Sequence, residues 1–104
     1  MPLKLQTVYT RPNADVPWHF DVPVDNFEVR KYIQDNFIAT GKLKVNTRVA
    51  SADGLEITVE SEWDSKESKD TFTQDPFILT NRIIPETQYN QQNNINKKIN
   101  VLEE

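Results

Sequence analysis

Two alternating segments joined by a glycine turn constrain the fold of this chain more than any other feature. Apolar and polar side chains alternate over Leu43–Ser51 and again over Leu55–Trp63. The connecting stretch, Ser51-Ala-Asp-Gly-Leu55, has turn composition. Alternation with a period of two places every second side chain on one face of a strand. The two segments therefore predict an antiparallel hairpin, with Gly54 in the left-handed region.

The pairing register of this hairpin depends on the length of its loop. A two-residue Asp-Gly turn would set Val49 opposite Thr58 and mix an apolar face with a polar one. A three-residue loop instead pairs Val49 with Ile57 and Leu43 with Trp63. The matching apolar faces favour the three-residue loop and a bulged hairpin.

A further strand and a proline-containing loop precede the hairpin. Leu3–Arg11 alternates and reads as a strand that stops at Pro12. One face of the strand would carry Leu3, Leu5, Thr7 and Tyr9. The next dozen residues contain three prolines and show little periodicity, so they predict an ordered loop carrying Trp18 and His19.

The first helix has signals at both ends. Asp25-Asn-Phe-Glu28 is a capping-box pattern, in which Asp25 would accept from the first-turn amides. Gly41 is a natural left-handed stop. The apolar stripe between these signals consists of Val29, Tyr32, Ile33 and Phe37.

The second helical region is predicted to be broken. Asp64-Ser-Lys-Glu67 is another capping box and starts a helix at about Lys66. Asp75-Pro76 reads as a fresh cap with proline at the first helical position, which predicts a break near Gln74. Pro85 is expected to disturb the helix again, and Asn93-Asn94 then turns the chain into a last strand, Ile95 to Leu102.

The order β-α-β-β-α-β predicts one ferredoxin-like α+β domain over residues 1–104, with a four-stranded antiparallel sheet and both helices on one face. Right-handed crossovers give the strand order 4-1-3-2. The face away from the helices would be polar, and we expect cross-strand pairing of Lys44 with Glu62 and of Arg48 with Glu56 and Glu60. Its predicted members are Lys4, Gln6, Val8, Thr10, Lys44, Asn46, Arg48, Glu56, Thr58, Glu60, Glu62 and Lys98.

The segment Glu62-Trp-Asp-Ser-Lys-Glu-Ser-Lys-Asp-Thr-Phe72, followed by Asp75-Pro76, resembles the strand-to-helix segment of dimeric α+β barrel proteins of the antibiotic-biosynthesis-monooxygenase-like group. In that group a tryptophan ends the third strand, and a capped helix with a buried phenylalanine follows. The resemblance implies a homodimer whose sheets face each other. Because the sheet face here is polar, such an interface would be hydrated and weakened by salt, and a monomer would leave the sheet open. The asparagine-rich composition and small size also resemble proteins of bacterial viruses.

Composition excludes several classes of function. The chain has no cysteine, which removes disulfides, thiolate metal sites and a cysteine nucleophile. A net charge of −4 opposes general nucleic-acid binding. The N-terminal residues contain no apolar block of the kind found in signal peptides and membrane spans, so we expect a soluble cytoplasmic protein without membrane partners. With only two glycines no phosphate-binding loop is present, and we expect neither cofactor nor metal.

The candidate ligand-binding residues are Trp18, His19 and Arg11. His19 could act as a general base or haem ligand. Because no second ligand or Asp-His-Ser spacing accompanies it, we favour a packed loop residue bonded to a backbone carbonyl. Trp18 should be the more open of the two tryptophans, whereas Trp63 faces the helices and belongs in the core.

Two functional hypotheses follow. The favoured one is a non-enzymatic accessory or interaction protein that self-associates, with no catalytic residues. The alternative is a cofactor-independent monooxygenase or isomerase that acts on a small aromatic or carbonyl compound in a cavity under the Trp18-His19 loop. The discriminating feature is an apolar pocket with converging polar groups.

Overall fold

The computed structural model describes residues 2–22 and 25–104. Four antiparallel strands form one sheet: β1 (Leu3–Thr10), β2 (Leu43–Ala50), β3 (Glu56–Trp63) and β4 (Asn96–Glu103). Their order across the sheet is β2-β3-β1-β4. This is the predicted order read from the opposite edge, and the ferredoxin-like α+β fold is confirmed.

The helical segments are α1 (Phe27–Ile33) with a π-helical turn at Gln34–Ile38, α2 (Lys66–Gln74), α3 (Pro76–Ile78), a second π-helical turn at Leu79–Ile83, and α4 (Ile84–Gln92). A single 3-10 turn, His19–Asp21, lies in the described part of the proline-containing loop. The second π turn ends at Ile83, two residues before Pro85. Proline lacks an N–H group and its ring crowds the preceding turn, and a widened turn accommodates both effects without ending the helix.

The cap of α1 differs from the predicted one. Asn26, not Asp25, is the cap, and its side chain accepts a hydrogen bond from the Val29 N–H at 3.0 Å. The Asp25 carboxylate instead pairs with the Arg82 guanidinium at 2.9 Å. Both residues have side chains suited to capping, and the ion pair with a distant helical segment decides between them.

The second helical region follows the prediction except at its first cap. Ser65, rather than Asp64, caps α2 through its hydroxyl, and the helix begins at Lys66 as expected. Asp75 is the predicted fresh cap: its backbone is extended, and its side chain accepts from two backbone N–H groups of α3. The break after Gln74 is therefore confirmed.

The hairpin of β2 and β3 contains a bulge that alternation does not predict. Leu43 lies opposite Trp63 as expected, but the register shifts between Val45 and Thr47, which leaves Asn46 as an extra residue. Gly54 has φ +74°, in the predicted left-handed region. An extra residue in one strand exchanges the faces of all side chains beyond it.

Beyond this bulge, the predicted pairing of Val49 with Ile57 is wrong. Val49 lies opposite Thr58, and Ala50 lies opposite Ile57. Arg48, expected on the outer face beside glutamates, lies on the helix-facing side, where its guanidinium carbon is 4.0 Å from the centre of the Phe20 ring. The bulge therefore brings a cation onto the inner face of the sheet.

The outer face of the sheet is polar, as predicted, but its contacts differ in detail. Lys4 bridges Glu62 at 3.8 Å and Glu103 at 3.5 Å. Thr47, displaced outward by the bulge, donates to Glu60 at 3.2 Å. These contacts replace the expected pairing of Arg48 with glutamates.

The core consists of two separate clusters on the helix-facing side of the sheet. The first contains Leu3, Leu5, Phe37, Leu43, Trp63 and Ile78. The second contains Tyr9, Trp18, Ile57 and Ile95. A cavity open to solvent lies beside both clusters.

Candidate functional site

A cavity of about 560 Å³ lies between the sheet and the helices, bordered by both core clusters. Ligand pockets in proteins commonly measure about 300–1,000 Å³. The sheet contributes Leu5, Thr7, Tyr9, Leu43, Val45, Arg48, Val59, Ser61, Trp63, Lys97 and Ile99. The loop and helices contribute Phe20, Arg30, Ile33, Gln34, Ile38, Lys69, Phe72, Thr73, Arg82, Ile83 and Glu86.

Aromatic and aliphatic side chains form one part of the wall. Trp63, which is 6% exposed, packs edge-to-face against Phe72 at 5.2 Å between ring centres. Phe72 also packs against Phe37 at 5.1 Å, which fixes the ring from behind. Edge-to-face packing of this kind holds aromatic rings in place. Trp63 is thus a core residue, as predicted, and at the same time a wall of the cavity.

Polar side chains from four segments meet at Glu86, another wall residue. Its Oε1 atom lies 2.9 Å from His19 Nε2 and 3.7 Å from Lys97 Nζ, and it accepts from the Tyr9 hydroxyl at 3.3 Å. Its Oε2 atom lies 3.6 Å from Arg82 Nε. A buried carboxylate is tolerated when it is paired in this way.

These contacts set the ionisation of the cluster. Burial opposes the charged form of Glu86, but the contact with His19 and the charges of Lys97 and Arg82 outweigh it and lower the pKa of the carboxyl to about 2. Burial raises the pKa of the Tyr9 hydroxyl, and the Glu86 carboxylate raises it further. At neutral pH Glu86 is an anion and Tyr9 is a neutral hydrogen-bond donor.

This arrangement is suited to binding more than to proton transfer. A general base works best when its pKa is close to the operating pH, and the pKa of Glu86 is several units lower. Arg48 and Arg82 contribute positive charge near the Tyr9 hydroxyl. The cavity therefore combines an apolar wall with a fixed group of charges and donors.

His19, the first predicted site residue, is fully buried with 0% of its surface exposed. Its ring lies 3.9 Å from that of Phe20 and 4.7 Å from that of Tyr9. It is the packed residue we favoured, although it contacts the Glu86 carboxylate rather than a backbone carbonyl. Within residues 2–22 and 25–104 its Nδ1 atom has no hydrogen-bond partner, and its Nε2 atom, although 2.9 Å from Glu86 Oε1, does not have hydrogen-bond geometry.

Trp18 and Arg11, the other predicted residues, lie side by side. Trp18 is 5% exposed, so the expectation that it is open was wrong. The Arg11 guanidinium covers the indole at 4.7 Å and donates to the carbonyls of Gly54 and Val16 at 2.9 and 2.8 Å. Neither residue, nor His19, belongs to the cavity wall, whereas the adjacent Phe20 does.

Sequence reasoning missed Glu86 and the residues around it. The only local signal is a polar row with a spacing of four, Arg82, Glu86 and Asn90, of which Glu86 and Asn90 are buried. A row of this kind is usually read as a solvated helix face. The partners that neutralise Glu86 come from β1, the loop and β4, and no local pattern predicts them.

Two further structural findings concern metals and membranes. Across the described residues, no three or more histidine, aspartate or glutamate side chains come close enough together to hold a metal ion. None of the helices described is both long and apolar enough to cross a membrane.

The fold places the chain among proteins with a ferredoxin-like α+β architecture. One similar structure, from Nitrosomonas europaea, is named as a candidate antibiotic biosynthesis monooxygenase: the TM-score is 0.55 at 11% identity, covering 98% of this chain and 89% of that one. A de novo designed protein with a ferredoxin fold gives a TM-score of 0.52 at 17% identity, covering 100% of this chain and 87% of the design. No protein-family model and no curated protein matches the sequence. These likenesses show the fold.

Proposed function

We propose that this protein binds a small aromatic or carbonyl compound in the cavity between its sheet and its helices. The observation that carries the proposal is the lining of a cavity of about 560 Å³, which combines the polar Tyr9, Arg48 and Arg82 with the aromatic Trp63 and Phe72. An apolar pocket with a few converging polar groups is the usual form of a small-molecule site. This pocket lies on the inner face of the sheet.

The predicted residues Trp18, His19 and Arg11 have a supporting role in this proposal. His19 packs against Phe20 and contacts Glu86, both of which line the cavity. His19 therefore supports the cavity wall from outside, and Arg11 and Trp18 pack against each other in the same loop region. The structural similarity to the Nitrosomonas protein supports the fold alone, because only 11% of residues are identical, and its monooxygenase name is not carried over to this chain.

Tryptophan fluorescence tests the proposal, because the cavity contains one of the two tryptophans. In a Trp18→Phe variant Trp63 is the sole emitter, and we expect 2-acetylnaphthalene, an aromatic carbonyl compound, to quench it saturably. In the matched Trp63→Phe variant the remaining indole lies outside the cavity wall, and quenching should be much weaker. Linear, non-saturable quenching of both variants would show that the cavity does not bind such compounds.

Self-association is a second candidate function, and the observation that favours it is the exposed edge of β4. Ile99, Val101 and Leu102 are 49%, 56% and 50% exposed on this edge strand. The other edge, β2, has its bulge in the middle of the strand at Asn46, which discourages strand pairing, whereas the register of β4 shifts only near its end, beyond Val101. We propose that two copies pair along β4 and form a homodimer.

Sedimentation at low and high ionic strength tests this second candidate. A β4-edge dimer, held by backbone hydrogen bonds and apolar contacts, should persist in high salt, whereas a dimer through the polar outer face should dissociate. Val101→Lys should yield monomers, and Val49→Lys on the outer face is the matched control. A parent protein that sediments as a monomer in both buffers would contradict the proposal.

A further inference from the structure

The charges that line the cavity are strongly unbalanced. They comprise the cations Arg30, Arg48, Lys69, Arg82 and Lys97 against a single carboxylate, that of Glu86. The chain as a whole has a net charge of −4, so this positive lining runs against its composition. Arg30, Arg48 and Lys97 are exposed, so the field of these charges is partly screened by solvent and salt.

The single carboxylate does not neutralise this excess. Glu86 already contacts Lys97 at 3.7 Å, Arg82 at 3.6 Å and His19 at 2.9 Å. Arg82 has a second partner in Asp25 at 2.9 Å. The Glu86 and Asp25 carboxylates are therefore already engaged by Arg82, Lys97 and His19.

Among the described residues, three cations of the cavity wall have no carboxylate within ion-pair distance, namely Arg30, Arg48 and Lys69, and of these Arg48 is the one that lies over an aromatic ring. Its guanidinium carbon lies 4.0 Å from the centre of the Phe20 ring. Stacking on an aromatic ring leaves the N–H groups at the guanidinium edge free to bind a planar anion with two parallel hydrogen bonds.

The position of Arg48 depends on an irregular feature of the backbone. Without the extra residue at Asn46, the alternation of β2 would place Arg48 on the outer face among glutamates. With it, Arg48 lies opposite Val59 on the inner face. Bulges beside binding sites commonly redirect a side chain in this way.

We infer that the cavity selects an anionic amphiphile, a carboxylate carried on an aromatic or alkyl body, and that Arg48 binds the carboxylate. Arg82 adds positive charge from the helical side, and Trp63 and Phe72 contact the apolar body. This inference rests on the proposed small-molecule function and specifies the class of ligand.

A pair of ligands that differ only in charge tests the inference. We expect 2-naphthoate to bind the Trp18→Phe protein at least roughly tenfold more tightly than its neutral isostere 2-naphthamide, because a charged, bidentate contact replaces a neutral one. In an added Arg48→Gln change this preference should disappear, while an unchanged circular dichroism spectrum and urea midpoint show that the variant is folded. Lys98→Gln, which removes one positive charge from the outer face, should leave the preference intact.

Each contrary outcome points to a different error. If neither ligand binds, the proposed function fails. If both bind equally, the cavity binds small molecules but does not select anions, and the inference is overturned. If the preference for naphthoate survives Arg48→Gln, then Arg48 is not the carboxylate-binding residue, and the inference is again overturned.

Discussion

Replacing Glu86 with glutamine tests the buried charge cluster directly. The variant keeps the size of the side chain and an acceptor for the Tyr9 hydroxyl, but it removes the negative charge that Lys97, Arg82 and His19 surround. Removing one partner of a buried ionic group leaves the others without compensation, which is strongly destabilising. We therefore expect Glu86→Gln to be folded but much less stable than the parent at neutral pH.

The magnitude follows from the pKa of Glu86, about 2 in the folded protein against an ordinary value of 4.5. Each pKa unit corresponds to about 1.36 kcal/mol, so the ionised carboxylate stabilises the fold by about 3 kcal/mol. Because the pKa is lowered on folding, this contribution is present above pH 4.5 and is lost as the pH falls toward 2. At pH 3 about 1 kcal/mol should remain.

Urea unfolding of parent and variant between pH 3 and pH 7 measures this contribution. The difference in unfolding free energy should be about 3 kcal/mol at pH 7 and shrink steadily below pH 4.5. Glu56→Gln, a change at an exposed carboxylate on the outer face, should alter stability by less than about 0.5 kcal/mol at every pH. A Glu86→Gln variant as stable as the parent at pH 7, or a difference independent of pH, would refute the reasoning.

Three further substitutions test packing, turn geometry and capping by urea unfolding. Ile78→Ala should lower the free energy of unfolding by about 3 kcal/mol, because Ile78 is 0% exposed. Leu79→Ala, at a residue that is 39% exposed, should lower it by less than about 1 kcal/mol. Equal losses in the two variants would contradict the assignment of the core. Gly54→Ala should cost about 1 kcal/mol because φ is +74°, and a neutral result would argue against the left-handed turn. Asn26→Ala should lower the free energy of unfolding by about 1 kcal/mol through loss of the helix cap, whereas Asn26→Ser, which can still cap, should retain most of the stability. Equal losses in the two variants would exclude capping as the cause.

Local periodicity was sufficient to predict the elements and their order. The inward residues of β1 include the buried Leu3, Leu5 and Tyr9, as alternation requires. The break before α3 follows from Asp75-Pro76, whose capping geometry is local to the chain. With the elements known, handedness and short connections leave few arrangements of four strands.

The bulge at Asn46 could not be predicted because alternation continues unbroken through it. Val45, Thr47 and Val49 are spaced as if they shared one face, yet only Val45 lies on the inner side. The bulge changes the backbone register of β2 against β3, and this register depends on packing with residues that are distant along the chain. The bulge allows Arg48 to contact Phe20, but these two residues are far apart along the chain, so no local pattern indicates the contact.

The charge cluster around Glu86 could not be predicted because its members are distant from one another along the chain. Its members come from β1, the loop, α4 and β4, and each reads locally as a surface or core residue of no special role. Apolar residues of similar volume can stabilise an interior as well as a buried ion pair does. Stability alone therefore does not explain why a small core is divided by a cavity with Glu86, Arg82 and Lys97 in its wall. A ligand whose anionic group meets Arg48 would account for both the cavity and the excess of positive charge around it.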